Sequence, residues 1–246
     1  MHDGQAVSRN RLLRTLPAAE LGRMEADLHL IRWDVSETIY HANVPLQHVY
    51  FPMNAVCSNI ILMENGAGVE TSTVGCEGLV GAHAALGEVR IPTTSICQIA
   101  GDVACLRLED FYRYYETLPA FRELAKRFNV LLLNMISQTA ACNRLHHVNE
   151  RLARWLLITH DRVYSDSFSL THDFLAMMLG VNRPTVSIAC RALKDVGLID
   201  YRRGMITIKD RPGLEKASCE CYEIVTREVE RLLPNGVVRH PQEVAG

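Results

Sequence analysis

The stretch Leu170–Leu193 constrains this chain more than any other, because its cap and turn chemistry admits few folds. Thr171 can cap a helix, and Asp173 lies in that helix's first turn, where negative charge suits the helix dipole. Leu175, Met178 and Leu179 form its apolar face, and Gly180 ends it where the chain needs a positive φ. Asn182 offers a second N-cap, and Pro184 lies in the first turn of the next helix, where a missing N–H costs nothing. That helix turns Val186, Ala189 and Leu193 inward and leaves Arg183, Thr185, Ser187, Ile188 and Arg191 on the outside or the edge. Ala176, Gly180 and Val186 complete the pattern: a small residue at the crossing, a glycine at the turn, an aliphatic residue locking the second helix. This spacing predicts a helix-turn-helix, with an ordinary buried helical hairpin as the alternative.

The flanks raise the first reading. Val196–Ile199 ends the second helix, and Tyr201–Ile208 reads as a β-hairpin with Arg202 and Arg203 at its tip beside Gly204. A basic-tipped hairpin in that place is a wing that meets phosphates. Upstream, Glu150–Leu157 reads as a helix with Leu152, Trp155, Leu156 and Thr159 inward. Between Pro119 and His147 there is no proline or glycine, and Leu124, Phe128, Leu131, Met135, Gln138, Cys142 and Leu145 recur in steps of four and three. That is an a/d seam with one polar member, which predicts a dimerisation helix over 119–147. An amphipathic helix lying on its own domain is the alternative. Residues 214–233 predict one final helix, and the tail after Pro234 is expected to fray.

The N-terminal half differs in kind. Two short helices are expected over 9–28, and from His29 to Asp110 short β-rich runs alternate with turn residues. The runs are Ile31–Trp33, Thr38–Tyr40, His48–Phe51, Val56–Leu62, Gly68–Val74, Thr94–Ile99 and Val103–Leu108, and Asn65-Gly66 is the clearest hairpin signal. Such spacing predicts a double-sheet roll or barrel. The glycine-rich Gly75–Gly81 could present N–H groups to an anion or form a tight corner between sheets. The fold class is therefore α+β: an N-terminal double-stranded β-roll (jelly-roll) over 1–118, a long helix over 119–147, and a winged helix-turn-helix over 148–246.

Composition supports a soluble globular protein, with 48% hydrophobic and 22% charged residues. The first ten residues lack an apolar core and no apolar run approaches a bilayer span, so a cytoplasmic location without membrane contact is expected. The net charge of −2 does not announce a nucleic-acid binder, but residues 148–246 hold 14 Lys/Arg against 13 Asp/Glu while residues 1–147 hold 12 against 15. Eight scattered cysteines suggest reduced, buried thiols. Cys219 and Cys221, placed on one helix, would point roughly 200° apart, which is poor geometry for one metal. No metal or cofactor is expected, and redox sensing is the alternative role for these thiols.

On Glu150–Leu157, Leu170–Leu193 and Gly197–Lys209, the chain resembles the Crp/Fnr family of bacterial transcription regulators, and the resemblance extends over nearly the whole length. It implies a cyclic-nucleotide-binding-like roll that senses a signal, a homodimer, and C-terminal domains that read a near-palindromic site in double-stranded DNA. RNA polymerase is then a candidate partner, and no catalysis is implied. Arg183 matches the recognition-helix arginine that reads a base, and Thr171, His172, Asn182, Thr185 and Ser187 match positions that meet phosphates. Pro184 and Ile188 stand where the cyclic-AMP-responsive member has a glutamate and a second arginine, which implies a different operator. The nucleotide signature is missing as well: Gly81-Ala82 replaces the Gly-Glu pair, and Pro92-Thr93-Thr94 lacks the phosphate arginine. The cysteine cluster of the family's iron–sulfur sensors is absent, since the first cysteine is Cys57. Haem ligation by Cys76 or His83 stands as the alternative to their being buried structural groups, and the effector is left unknown. A different class, a cupin-like metal enzyme with an accessory helical domain, would need His41, His48 and His83 to converge on one metal.

Overall fold

The computed structural model describes residues 9–233; the tail expected to fray lies outside them. Two short helices, α1 (Arg11–Thr15) and α2 (Ala18–Met24), lead into the roll. Asn10 caps α1, and its amide donates to the carbonyls of Pro52 and Gly78, which ties the entry segment to the roll. Seven strands follow: β1 (His29–Trp33), β2 (Thr38–Tyr40), β3 (His48–Pro52), β4 (Val56–Leu62), β5 (Gly68–Val74), β6 (Thr94–Ile99) and β7 (Gly101–Arg107). They form two antiparallel sheets, ordered β1-β7-β3 and β2-β6-β4-β5. Trp33, Val49, Phe51, Cys57, Val74, Cys97 and Val103 fill the space between them. The Asn65-Gly66 hairpin joins β4 to β5, with Gly66 at φ 81°.

Helix α3 (Leu108–Thr117), absent from the sequence reading, leaves β7 directly and turns the chain into α4 (Pro119–Leu145). Here one expectation is corrected. Leu124, Phe128, Leu131 and Met135 are buried against the chain's own roll, and Cys142 is buried as well, so none of them offers a seam to a second helix. Gln138 donates to Cys221 Sγ, and of the predicted seam only Leu145 is exposed. The large apolar residues that α4 does expose are Val130, Leu133, Ile136 and Leu145. Periodicity located the apolar stripe correctly but could not say what covers it.

The C-terminal part begins with α5 (Val148–His160), capped by reciprocal bonds between His147 and Glu150. It continues with β8 (Ser167–Ser169), α6 (His172–Leu179), α7 (Arg183–Asp195), β9 (Ile199–Arg202), β10 (Met205–Ile208), α8 (Arg211–Ala217) and α9 (Cys221–Leu232). Strand β8 was not anticipated; it pairs with β10 to give a three-stranded sheet ordered β8-β10-β9. The single helix expected over 214–233 is two helices, because Ser218–Glu220 breaks it and Cys219 sits in the break.

The glycine-rich loop is an internal junction and not an anion cradle. Arg162, just past α5, clamps Glu77 with Nη2 at 2.6 Å and Nε at 3.1 Å, and also donates to Thr73. A Cβ on Gly75 would lie 2.4 Å from Arg162 Cδ, and one on Gly78 would lie 2.4 Å from Phe128 Cζ, so both positions demand glycine. Beside this pair Trp155 Nε1 donates to Glu70 at 3.1 Å. Helix α6 rests on the outer strands: Met178 Sδ lies 3.4 Å from Ser58 Oγ, and Val56 and Ile60 share a core with α5, α6 and α7. No helix among the described residues is long and apolar enough to cross a membrane.

Burial pushes the Glu70 carboxyl up to about 7, against the lowering effect of its bonds to Ser58 and Trp155. The folded chain therefore holds this proton more tightly than the unfolded chain does. Stability should decline as pH rises from about 4.5 to about 7. Glu70→Gln should flatten that decline in urea-unfolding midpoints taken across the window; an unchanged slope would count against the assignment.

Candidate nucleic-acid interface

Local sequence builds the motif as read. Thr171 caps α6 by accepting from Phe174 N at 3.2 Å, and Gly180 ends it at φ 61°. Asn182 caps α7, accepting from Thr185 N at 2.9 Å and from the Thr185 hydroxyl at 2.7 Å, with Pro184 in the first turn. Val186, Ala189 and Leu193 are buried, which fixes the roll angle of α7 about its axis. Its outward stripe then carries Arg183, Pro184, Ile188 and Arg191, all exposed, with Ile188 at 71%.

The wing follows the two-residue hairpin pattern. Arg203 at φ 49° and Gly204 at φ 78° form the turn between β9 and β10. Arg202 and Arg203 are exposed beside the outer end of α7. Asp200 lies between the wing and that helix, 2.7 Å from Lys194 and 2.9 Å from Arg202. The Lys194 hydrogen bond and the Arg202 charge hold the Asp200 carboxyl below its usual range. Arg183 pairs loosely with Asp173 at 3.6 Å. Such exposed pairs are weak in water, so a phosphate or a base edge can displace them.

Two of the predicted contact residues are engaged internally. The His172 ring stacks on Tyr201, centroids 4.4 Å apart at 15°, and its Nδ1 lies 2.9 Å from Ser187 Oγ. Ser187 also donates to the Arg183 carbonyl. These contacts join α6, α7 and the wing, so His172 and Ser187 set the shape of the reading surface. Sequence reasoning missed Tyr201; its position beside the basic tip was the only signal. His41, His48 and His83 do not gather. Burial holds the His83 imidazole below its ordinary value, and its ring packs edge-on against Tyr40.

Comparison with known proteins is decisive for the C-terminal part. Residues 150–217 match the family model of the Crp-like helix-turn-helix domain. The match runs from α5 through α8, so this stretch is similar to a Crp-like helix-turn-helix domain. No curated protein sequence matches the chain. Among solved structures, FixK2 from Bradyrhizobium japonicum aligns at a TM-score of 0.66 and 16% identity, covering 78% of this chain and 98% of its own. A CRP-family transcriptional regulator from Thermus thermophilus aligns at 0.61 and 19%, covering 76% and 96%. The c-di-GMP-responsive global regulator CLP of Xanthomonas campestris aligns at 0.60 and 15%, covering 78% and 99%. The roll, the long helix and the Crp-like domain thus share the fold of Crp/Fnr regulators.

The internal role of His172 is testable. His172→Ala removes one hydrogen bond and one aromatic stack, and should cost about 1–3 kcal/mol in chemical unfolding. With a purely internal role for the ring, the slope of DNA affinity against salt should stay unchanged; a slope reduced by about one would return it to the contact set.

Proposed function

We propose that the protein is a homodimeric, sequence-specific DNA-binding transcription regulator that reads a near-palindromic operator through its Crp-like domain. The observation that carries this reading is the outward stripe of α7, Arg183, Pro184, Ile188 and Arg191, beside a wing tipped by Arg202 and Arg203. Arg183 is the base reader, most simply of a guanine through its two guanidinium donors. Thr171, Asn182, Thr185, Arg191, Arg202 and Arg203 supply the surround that meets phosphates. An arginine at the positive-φ position of the wing turn, where asparagine or glycine is easier, fits a position kept for its charge. Pro184 contributes no base-reading group, so the operator differs from one read by a glutamate in that place.

The reading assigns residues 1–118 to a sensor, 119–147 to the dimer helix and 148–246 to DNA. Dimerisation uses the exposed α4 residues Val130, Leu133 and Ile136, not the seam predicted from the heptads. Cyclic AMP is not the signal, because neither Gly81-Ala82 nor Pro92-Thr93-Thr94 brings a ribose acceptor or a phosphate arginine.

Selection from a random DNA pool should return two half-sites about one helical turn apart. Arg183→Ala should cost about 1–3 kcal/mol on the selected site and little on random DNA, whereas Arg202→Ala should weaken both and reduce the salt slope by about one. Equal losses on both DNAs for Arg183→Ala would remove it as the base reader. In light scattering, Leu133→Glu should shift the protein from dimer to monomer while its circular dichroism stays unchanged.

A further inference from the structure

Cys142, His146, Cys219 and Cys221 lie far apart in sequence and meet in one place. Cys142 is in the last turn of α4, His146 just follows it, Cys219 lies in the break between α8 and α9, and Cys221 opens α9. Their four donor atoms all lie within 4.8 Å of one another. The three cysteines are buried and the histidine is half-buried. Cys219 is not helical, so the angular separation of two cysteines on one helix does not apply, and its side chain can turn towards Cys221 and Cys142.

From this geometry we infer a mononuclear, tetrahedral zinc site with a Cys3His donor set. With Zn–S near ~2.3 Å and Zn–N near ~2.0 Å, two sulfurs stand about 3.8 Å apart and a sulfur and a nitrogen about 3.5 Å apart. Cys142 Sγ and Cys219 Sγ are 3.6 Å apart, and Cys221 Sγ and His146 Nδ1 are 3.5 Å apart. A polynuclear iron–sulfur cluster would spread its thiolates over separate irons and hold them further apart. Three thiolates with one imidazole form a soft donor set that suits zinc and disfavours magnesium or calcium.

The surroundings have the form expected around metal ligands. A ligating histidine usually donates its second ring N–H to a carboxylate, and His146 Nε2 lies 3.2 Å from Glu220 Oε2. Gln138 donates to Cys221 Sγ at 3.0 Å, an amide hydrogen bond that a thiolate ligand accepts well. Three thiolates on Zn2+ leave one net negative charge, and Arg154, buried on α5, places its positive charge where its field reaches Cys142. A disulfide between Cys142 and Cys219 would use two donors and leave the His146–Glu220 and Gln138–Cys221 contacts without a role.

The placement gives the site a consequence. One ligand pair precedes residue 150 and the other follows residue 217, so the whole Crp-like domain lies between them. Zinc here would pin both ends of that domain to the C-terminal end of α4. Metal occupancy would thereby couple thiol chemistry to the placement of the reading helix.

The test uses untagged, full-length protein purified under reducing conditions, and its readout is the metal, independent of DNA binding. Elemental analysis should find about one zinc per chain. Exchange of that ion for Co2+ should produce tetrahedral d–d bands and thiolate-to-cobalt charge transfer. Cys142→Ser and Cys221→Ser should lose most of the metal, while Cys190→Ser, a buried thiol outside the cluster, should retain it. The wild-type cobalt spectrum carries the test if those variants fail to fold. Wild-type protein that stays metal-free and gives no cobalt bands would falsify the site. Acid-labile sulfide with iron, or a Cys142–Cys219 disulfide in the reduced preparation, would equally overturn it.

Discussion

Everything in this fold is arranged around the buried pair of Arg162 and Glu77. Both side chains are almost fully excluded from water, at 6% and 5% exposure, and they engage through two nitrogens. A buried pair adds little net stability over an apolar substitute, but removal of one partner strands a charge and costs about 3–5 kcal/mol. The roll supplies the carboxylate and the C-terminal part supplies the guanidinium. In any other close-packed placement of the two parts one of these charges would be buried without its partner at that cost, so the pair favours this placement. Gly75 and Gly78 allow it, because a Cβ at either position would occupy the space of Arg162 or Phe128.

That placement decides which face of the Crp-like domain is free. Helix α6 is pressed against β4 and β5 through Met178 and its neighbours, and a core shared with Val56 and Ile60 holds it there. With one side of α6 covered and the inner residues of α7 buried, the outer stripe of α7, the first turn of α6 and the wing remain open. The His172–Tyr201 stack and the Ser187 contact then fix the wing against α7. Arg183, Arg191, Arg202 and Arg203 are thereby held on one face, the placement that the proposed reading of DNA needs.

Local features were legible from residues alone. Both caps of the helix-turn-helix, its positive-φ glycine, the wing turn and the strands of the roll follow from short-range rules, because cap and turn chemistry acts over three or four residues. Helix α3 escaped because its N-cap, Arg107, makes no side-chain cap bond and its aromatic residues follow β7 without a break. The three-residue β8 is too short to show a period of two. For α4 the heptad was real, yet a stripe that packs on a roll has the same spacing as one that packs on a partner helix.

The candidate metal cluster shows the same limit more sharply. Cys219 and Cys221 were legible as a pair, but nothing local joined them to Cys142, 77 residues upstream, or to His146. The sequence by itself determined the secondary structure of the reading motif, its exposed arginines and the α+β class, since these depend on propensity, capping and pattern. Tertiary structure alone decided that the seam of α4 faces inward, that His172 packs on Tyr201 and Ser187, and that four sulfur and nitrogen donors converge. Those outcomes depend on which surfaces meet, and packing between distant segments sets that.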